Sequence, residues 1–164
     1  PSTAPHRGYY AVITTDRGVV EAFLYQDEAP KTVEEFRVLA STGAYDGRPF
    51  ERAVPGFLVQ AAASSAPAEP LPLETNPGRV FDAPGRLAAP AVPGGSAPGQ
   101  FFVTLTAAPW LDGKNCVFGT VTQGLEVLRD AAAGPRQERA ADGSFADRPL
   151  HPLVIRSIRV EDRR

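Results

Sequence analysis

Tyr45-Asp46-Gly47-Arg48-Pro49-Phe50-Glu51-Arg52 runs directly into Ala53-Val54-Pro55-Gly56-Phe57-Leu58-Val59-Gln60. Apolar and aromatic residues lie on both sides of a Val54-Pro55-Gly56 bend. Proline presets φ there, and glycine accepts the positive φ that a tight bend demands. The run therefore reads as two short strands, over residues 49–53 and 56–61, folded back on each other.

On the N-terminal side the period changes. Val33, Phe36, Leu39 and Ala40 recur at spacings of three and four, which is one apolar face of a helix. Pro30 can open that helix, where its missing N–H matters least, and Gly43 can close it in a left-handed conformation. The expected helix covers residues 30–42, with Glu34 and Glu35 near the positive end of its dipole. Earlier still, residues 9–14 and 19–25 are rich in aromatic and β-branched side chains around Thr15-Asp16-Arg17-Gly18, and they read as a β-hairpin.

On the C-terminal side, residues 62–99 turn to Ala, Pro, Gly and Ser. Prolines exclude helices there, and the apolar content is too small for a separate core. The expectation is a long ordered loop with a short strand at residues 86–89. Residues 100–105 and 116–121 read as strands on either side of Pro109-Trp110-Leu111-Asp112-Gly113, and residues 125–133 as a second helix stopped by Gly134-Pro135. A polar loop at 136–149 precedes a last strand at 153–160, whose apolar alternation slips phase between Ile155 and Ile158 and which should pair with the first strand. Eight strand-like segments and two helices argue for a β-barrel or a β-sandwich. Pattern alone leaves the two open.

Composition narrows the function. The 164 residues suit one domain, over residues 9–164 behind a flexible lead-in at 1–8. A formal net charge of −2, with arginines spread along the chain, offers no clustered positive charge for nucleic acid or an anionic membrane. No apolar run approaches the ~20 residues of a membrane span. Cys116 is the only cysteine, so no internal disulfide is available, and it reads as a small buried hydrophobe. With two histidines, His6 and His151, the chain is poor in ligands for zinc and in partners for a nucleophile. No G-x-S-x-G string is present, and Gly94-Gly95-Ser96-Ala97-Pro98-Gly99 has the wrong spacing for one. The expected location is cytoplasmic, a processed secreted or periplasmic form being the alternative. The bias to arginine over lysine and to Ala, Pro and Gly points to a GC-rich, bacterial genome.

Several strings, in order, resemble the cyclophilin family of peptidyl-prolyl cis–trans isomerases. They are Ala29-Pro30-Lys31-Thr32-Val33-Glu34-Glu35-Phe36, the two quoted at the outset, Gln100-Phe101-Phe102-Val103-Thr104, and Pro109-Trp110-Leu111-Asp112-Gly113-Lys114 followed by Val117-Phe118-Gly119. The resemblance spans residues 9–160. It implies a mainly β fold, a closed eight-stranded antiparallel β-barrel capped by two α-helices. It also implies a monomeric enzyme that needs neither cofactor nor metal. The implied partners are proline-containing peptides or unfolded chains, with cyclosporin-like ligands bound more weakly than is usual.

The chemistry of such an enzyme is rotation, not bond exchange. An X–Pro amide crosses a barrier of ~18–20 kcal/mol by twisting about C–N. At the top, resonance is lost and the prolyl nitrogen regains its lone pair. A donor aimed at that nitrogen favours the twisted state over the planar ones, which is the condition for catalysis. By resemblance Arg52 is that donor, and its planar, permanently charged fork suits the task. Phe57, Phe102 and Leu111 are the implied lining of the proline socket, with Trp110 at its wall. Gln60 is assigned to the substrate backbone or to bracing Arg52, and Gln100, Ala91 and Asn115 complete the substrate-binding set. Taken without the motifs, Arg52 is a solvated strand residue and the two phenylalanines are core. Their facing cannot be read from pattern; the resemblance puts them at an outer groove.

The chain departs from the family at the rim. Glu51 stands where a histidine is usual, Ala61-Ala62-Ala63 replaces Gly-Gly-Asp, Pro90-Ala91-Val92-Pro93 replaces Ala-Asn-Ala-Gly, and Asn115 replaces a histidine. Alanine adopts the glycine conformations only at a cost, so a reshaped loop is expected after Gln60. Two readings follow: an isomerase with altered peptide preference, or a cyclophilin-like module that binds Pro-containing segments without turnover. A hydrolase on a β-rich scaffold is a distant third.

Overall fold

The computed structural model describes residues 7–135 and 148–163. The expected lead-in and the polar loop at 136–149 lie mostly outside that range, although Gly8 already belongs to the first strand. In chain order the elements are β1 (Gly8–Thr15), β2 (Gly18–Leu24), α1 (Pro30–Ser41), β3 (Arg52–Val54), β4 (Leu58–Ala62), β5 (Arg86–Ala89) and β6 (Ala91–Val92). They continue with β7 (Gly95–Ser96), β8 (Gln100–Thr104), a 3-10 turn (Pro109–Leu111), β9 (Cys116–Gln123), α2 (Leu125–Ala132) and β10 (Ile155–Arg163).

One antiparallel sheet of eight strands runs in the order β10-β1-β2-β9-β5-β8-β4-β3, and β6 and β7 form a separate two-stranded ribbon. The sheet curls until its ends meet, and main-chain bonds just ahead of the two edge strands join them. Phe50 N–H donates to the Leu153 carbonyl at 2.8 Å, and Ile155 N–H donates to that of Arg48 at 2.8 Å. A bridge between Pro49 and Val154 lies between these bonds. Barrel thus prevails over sandwich, and the edge left by a short β3 is protected.

The phase slip in the last strand has a structural cause. Thr14 pairs with Ser157 but Thr15 pairs with Ile155, so Arg156 bulges from the ladder. A bulge resets the alternation by one residue, and Ile155 and Ile158 both turn inward, 0% and 4% exposed. They join a core fed by Val33, Phe36 and Leu39 of α1, by Leu128 and Ala131 of α2, and by Phe50, Phe101 and Phe118.

Helix α1 ends as expected: with Gly43 at φ 78°, its N–H reaches the Ala40 carbonyl at 3.2 Å and Ala44 N–H reaches that of Leu39 at 3.0 Å. Its start differs from expectation. Glu34 and Glu35 lie beyond the first turn. The carboxylate at the positive end is Glu74, from the long loop, which accepts Lys31 N–H at 3.2 Å, Thr32 N–H at 2.8 Å and the Thr32 hydroxyl at 2.7 Å. Glu35 instead accepts Gly99 N–H at 2.7 Å, at the far end of that loop. The loop is therefore clipped to α1 twice. Leu71, just before the first clip, and Ser96, just before the second, exchange main-chain bonds of 2.9 and 2.8 Å, laying Leu71 along β7.

Candidate active site

Residues directly opposite in antiparallel strands share a face, and the register sorts the middle of the sheet into alternating rows. One row runs Ala53, Val59, Val103, Leu87, and all four are buried in the barrel core. The next runs Arg52, Gln60, Phe102, Ala88 and faces outward. The adjacent phenylalanines divide accordingly. Phe101 meets the rings of Phe36, Tyr45 and Phe50 inside. Phe102 joins a satellite cluster with Leu58, Phe81, Ala88 and Val117, against which Phe57 and Leu111 pack.

Over that cluster opens a hollow of about 310 Å³, lined by Arg52, Phe57, Leu58, Gln60, Pro90, Ala91, Phe102, Leu111 and Asn115. This is near the lower end of the ~300–1,000 Å³ typical of ligand sites. Arg52 comes from β3 and Gln60 from β4, directly across the ladder from each other. Phe57 is held at the bend through its N–H to the Val54 carbonyl, 3.0 Å, and its carbonyl to Leu105 N–H, 2.7 Å. Leu111 projects from the 3-10 turn. The opposite rim is the β6–β7 ribbon, where Asn115 Oδ1 accepts Ala91 N–H at 3.0 Å.

Two of the expected residues lie outside this lining. Trp110 is not among the residues lining the hollow: it is 58% exposed and its ring packs against that of Phe57, centroids 6.0 Å apart. Gln100 also stays off the lining but touches it through Gln60, whose Nε2 donates to Gln100 Oε1 at 3.3 Å. The expected reshaping after Gln60 takes the form of continued strand: Ala61 and Ala62 complete β4, paired with Phe101 and Gln100. Glu51 is not among the lining residues and ion-pairs loosely with Arg48 at 3.7 Å.

Sequence reasoning missed Phe81. Fully buried, it stacks parallel to Phe102 at 6.0 Å with a 6° interplanar angle, forming the layer beneath the floor. Its only signal was being a lone aromatic in a stretch of small residues and prolines. Near the first clip, burial pushes the Cys116 thiol up from its ordinary range, its Sγ 3.4 Å from the Thr32 hydroxyl. It is a protonated packing group at neutral pH. Among the described residues no cluster of His, Cys, Asp or Glu is gathered to hold a metal. What the arrangement offers is a permanent cation and an amide at the edge of an apolar hollow.

Residues 10–160 match the family described as cyclophilin type peptidyl-prolyl cis-trans isomerase/CLD. Among curated relatives, peptidyl-prolyl cis-trans isomerase B of Streptomyces anulatus is 34% identical, over 94% of this chain and 97% of the relative. Peptidyl-prolyl cis-trans isomerase ppi1 of Schizosaccharomyces pombe is 32% identical, over 87% and 93%. A Cryptosporidium parvum cyclophilin-type isomerase, solved in the presence of the dipeptide Ala-Pro, shares the fold with a TM-score of 0.82 at 22% identity, covering 93% of this chain and 98% of its own. Sequence match, relatives and architecture agree that this chain belongs to the cyclophilin-type peptidyl-prolyl cis–trans isomerase family.

Proposed function

We propose that the hollow is where this member of the family turns X–Pro bonds, with Arg52 donating to the prolyl nitrogen as the amide twists. The observation that carries the reading is the outward row: it sets Arg52 two strands from Phe102, across Gln60, on the rim of a hollow floored by aromatic and aliphatic carbon. Phe57, Phe102 and Leu111 hold the pyrrolidine ring, and the carbonyl before it swings past Gln60. Because arginine stays protonated across the physiological range, the donor needs no tuning.

The test is exchange NMR on a panel of X-Pro peptides. Arg52→Ala should slow catalysed cis–trans exchange at least tenfold, ~1.4 kcal/mol of lost preference for the twisted state, with an unchanged fold. Equal exchange in both proteins removes Arg52 from the mechanism.

One observation favours a second reading, a binder of Pro-containing segments without turnover. Ala91 N–H is already engaged by Asn115, so a peptide carbonyl meets a rim with one donor fewer. Affinity for the peptides without faster exchange would decide for it. The same rim would weaken cyclosporin-like ligands. A monomer in a bacterial cytoplasm completes the proposal, its bacterial source supported by the arginine-rich, lysine-poor composition.

A further inference from the structure

We propose that Asp112 and Phe81 are positioning residues that hold the wall of the hollow in register with its floor; the inference rests on the hollow being the proline site. Two segments distant in sequence meet there, the long loop at Phe81 and the turn from Ala108 to Asp112. Asp112 Oδ1 accepts Phe81 N–H at 2.8 Å. The Phe81 carbonyl accepts Ala108 N–H at 2.9 Å, and the Ala108 carbonyl accepts Leu111 N–H at 2.9 Å. The turn that presents Leu111 to the hollow is thus tied at both ends to one residue of the long loop. That residue's ring lies flat beneath Phe102. Moving Phe81 moves the support of the floor and the anchor of the wall together.

Asp112 reads from sequence as a turn former, and its main-chain N–H does close the turn onto the Pro109 carbonyl at 3.1 Å. The side chain has a different task. Phe81 and Ala108 are both 0% exposed while Asp112 is half-buried, so without the carboxylate the Phe81 N–H loses a fixed, charged acceptor and is left to a water entering from the Asp112 side or to another group of the loop. Neither replacement fixes the loop as the carboxylate does, so the Phe81 ring is held less firmly beneath Phe102.

The consequence is specific to binding. Neither Asp112 nor Phe81 belongs to the row that carries Arg52. A distorted socket grips the proline ring less well in planar and twisted states alike, and loss of such uniform binding raises KM while leaving kcat.

The experiment compares Asp112→Ala, Asp112→Asn and Arg52→Ala in the full chain, with kcat and KM measured separately on one X-Pro peptide and the melting temperature alongside. Asp112→Ala should raise KM at least fivefold with kcat within twofold of the parent. Asp112→Asn keeps an oxygen acceptor at the same place and should return KM to within twofold. A residue that only stabilised the turn would lower the melting temperature and leave the KM of the folded protein alone. An unchanged KM in folded Asp112→Ala, or an Asn variant as impaired as the Ala variant, overturns the proposal. Should Asp112→Ala fail to fold, Phe81→Leu replaces it: a KM raised at least threefold supports the proposal and an unchanged KM overturns it. If Arg52→Ala slows exchange while the Asp112 and Phe81 variants match the parent, this inference alone fails. If Arg52→Ala is also silent, the site reading falls with it.

Discussion

The sheet side of the hollow, its floor together with the edge that carries Arg52, and the opposite rim are built differently. Arg52, Gln60 and Phe102 sit on one cross-strand row of a closed sheet, each fixed by ladder bonds on its own strand and its neighbours. Pro90 and Ala91 sit on or beside a ribbon of two-residue strands, held by a few scattered contacts: the short pairing of β6 with β7, Ala97 N–H on the Pro90 carbonyl, Asn115 on Ala91, the pair of bonds between Leu71 and Ser96, and Glu35 on Gly99. A ladder over-determines the direction of a side chain, because moving it breaks many bonds at once. A clip does not, because one substitution releases it. The difference teaches where variation can accumulate: the ribbon rim can be rewritten without loss of the barrel.

That contrast can be broken from the floor side first. Phe101→Ala should cost about 3–5 kcal/mol, the usual range for removing a buried phenylalanine, and should show as a large drop in denaturation midpoint. Phe102→Ala, whose ring faces the hollow on one side, should cost less stability but lower kcat/KM at least tenfold. Similar losses of stability and activity in the two variants would mean that the rows do not separate core from site.

The rim side is tested by Gly95→Ala. Gly95 sits at φ 149°, and a Cβ there would overlap the Leu71 carbonyl oxygen. The substitution should free Leu71 from β7 at a cost of about 1–3 kcal/mol. Faster hydrogen exchange should appear at the Leu71 and Ser96 amides, with the β1, β8 and β9 amides unaffected. Exchange that quickens throughout the barrel would erase the distinction between ladder and clip.

The smallest effect is the pH response of the Glu35 clip. Burial holds its carboxyl above the ordinary carboxylate value, and the Gly99 N–H pulls only partly the other way. The folded state therefore binds this proton more tightly than the unfolded one. The group's stabilising contribution is complete below the unfolded value and is lost as pH rises through the raised folded one. Glu35→Gln keeps an oxygen for Gly99 and should flatten that part of the stability–pH curve, gaining slightly on the parent at neutral pH and nothing in acid. A variant curve parallel to the parent's would show that the carboxyl does not titrate against folding.

Sequence periodicity exposed the elements whose causes are local. The hairpin around Thr15–Gly18, both helices, the strand at 86–89 and the Gly43 stop rest on residues within one or two turns of each other. Even the phase slip before Ile158 was visible, although its cause, a bulge opposite Thr14 and Thr15, needed the partner strand. The facing of Phe101 and Phe102 was not legible, since alternation says that neighbours oppose each other and not which one is inside. Glu74 and Phe81 escaped for the same reason: they act across 42 and 31 residues of chain, on Thr32 and Asp112, and no local pattern marks such a pair. The hollow's residues were found through motif resemblance. Trp110, carried over with its motif, lies outside the lining and packs on Phe57, a placement that order along the chain did not reveal.

The joining of β10 to β1 has a consequence for synthesis. Register pairs Gly8 with Arg163, Ile13 with Ile158 and Thr15 with Ile155, so the first described strand waits for the last. On a ribosome adding ~5–20 residues per second, β1 and β2 emerge early, and one side of β1 stays an open template for several seconds. Non-local closure of this kind also slows folding after release. The chain thus passes through an interval in which its own unpaired edge is exposed to its neighbours.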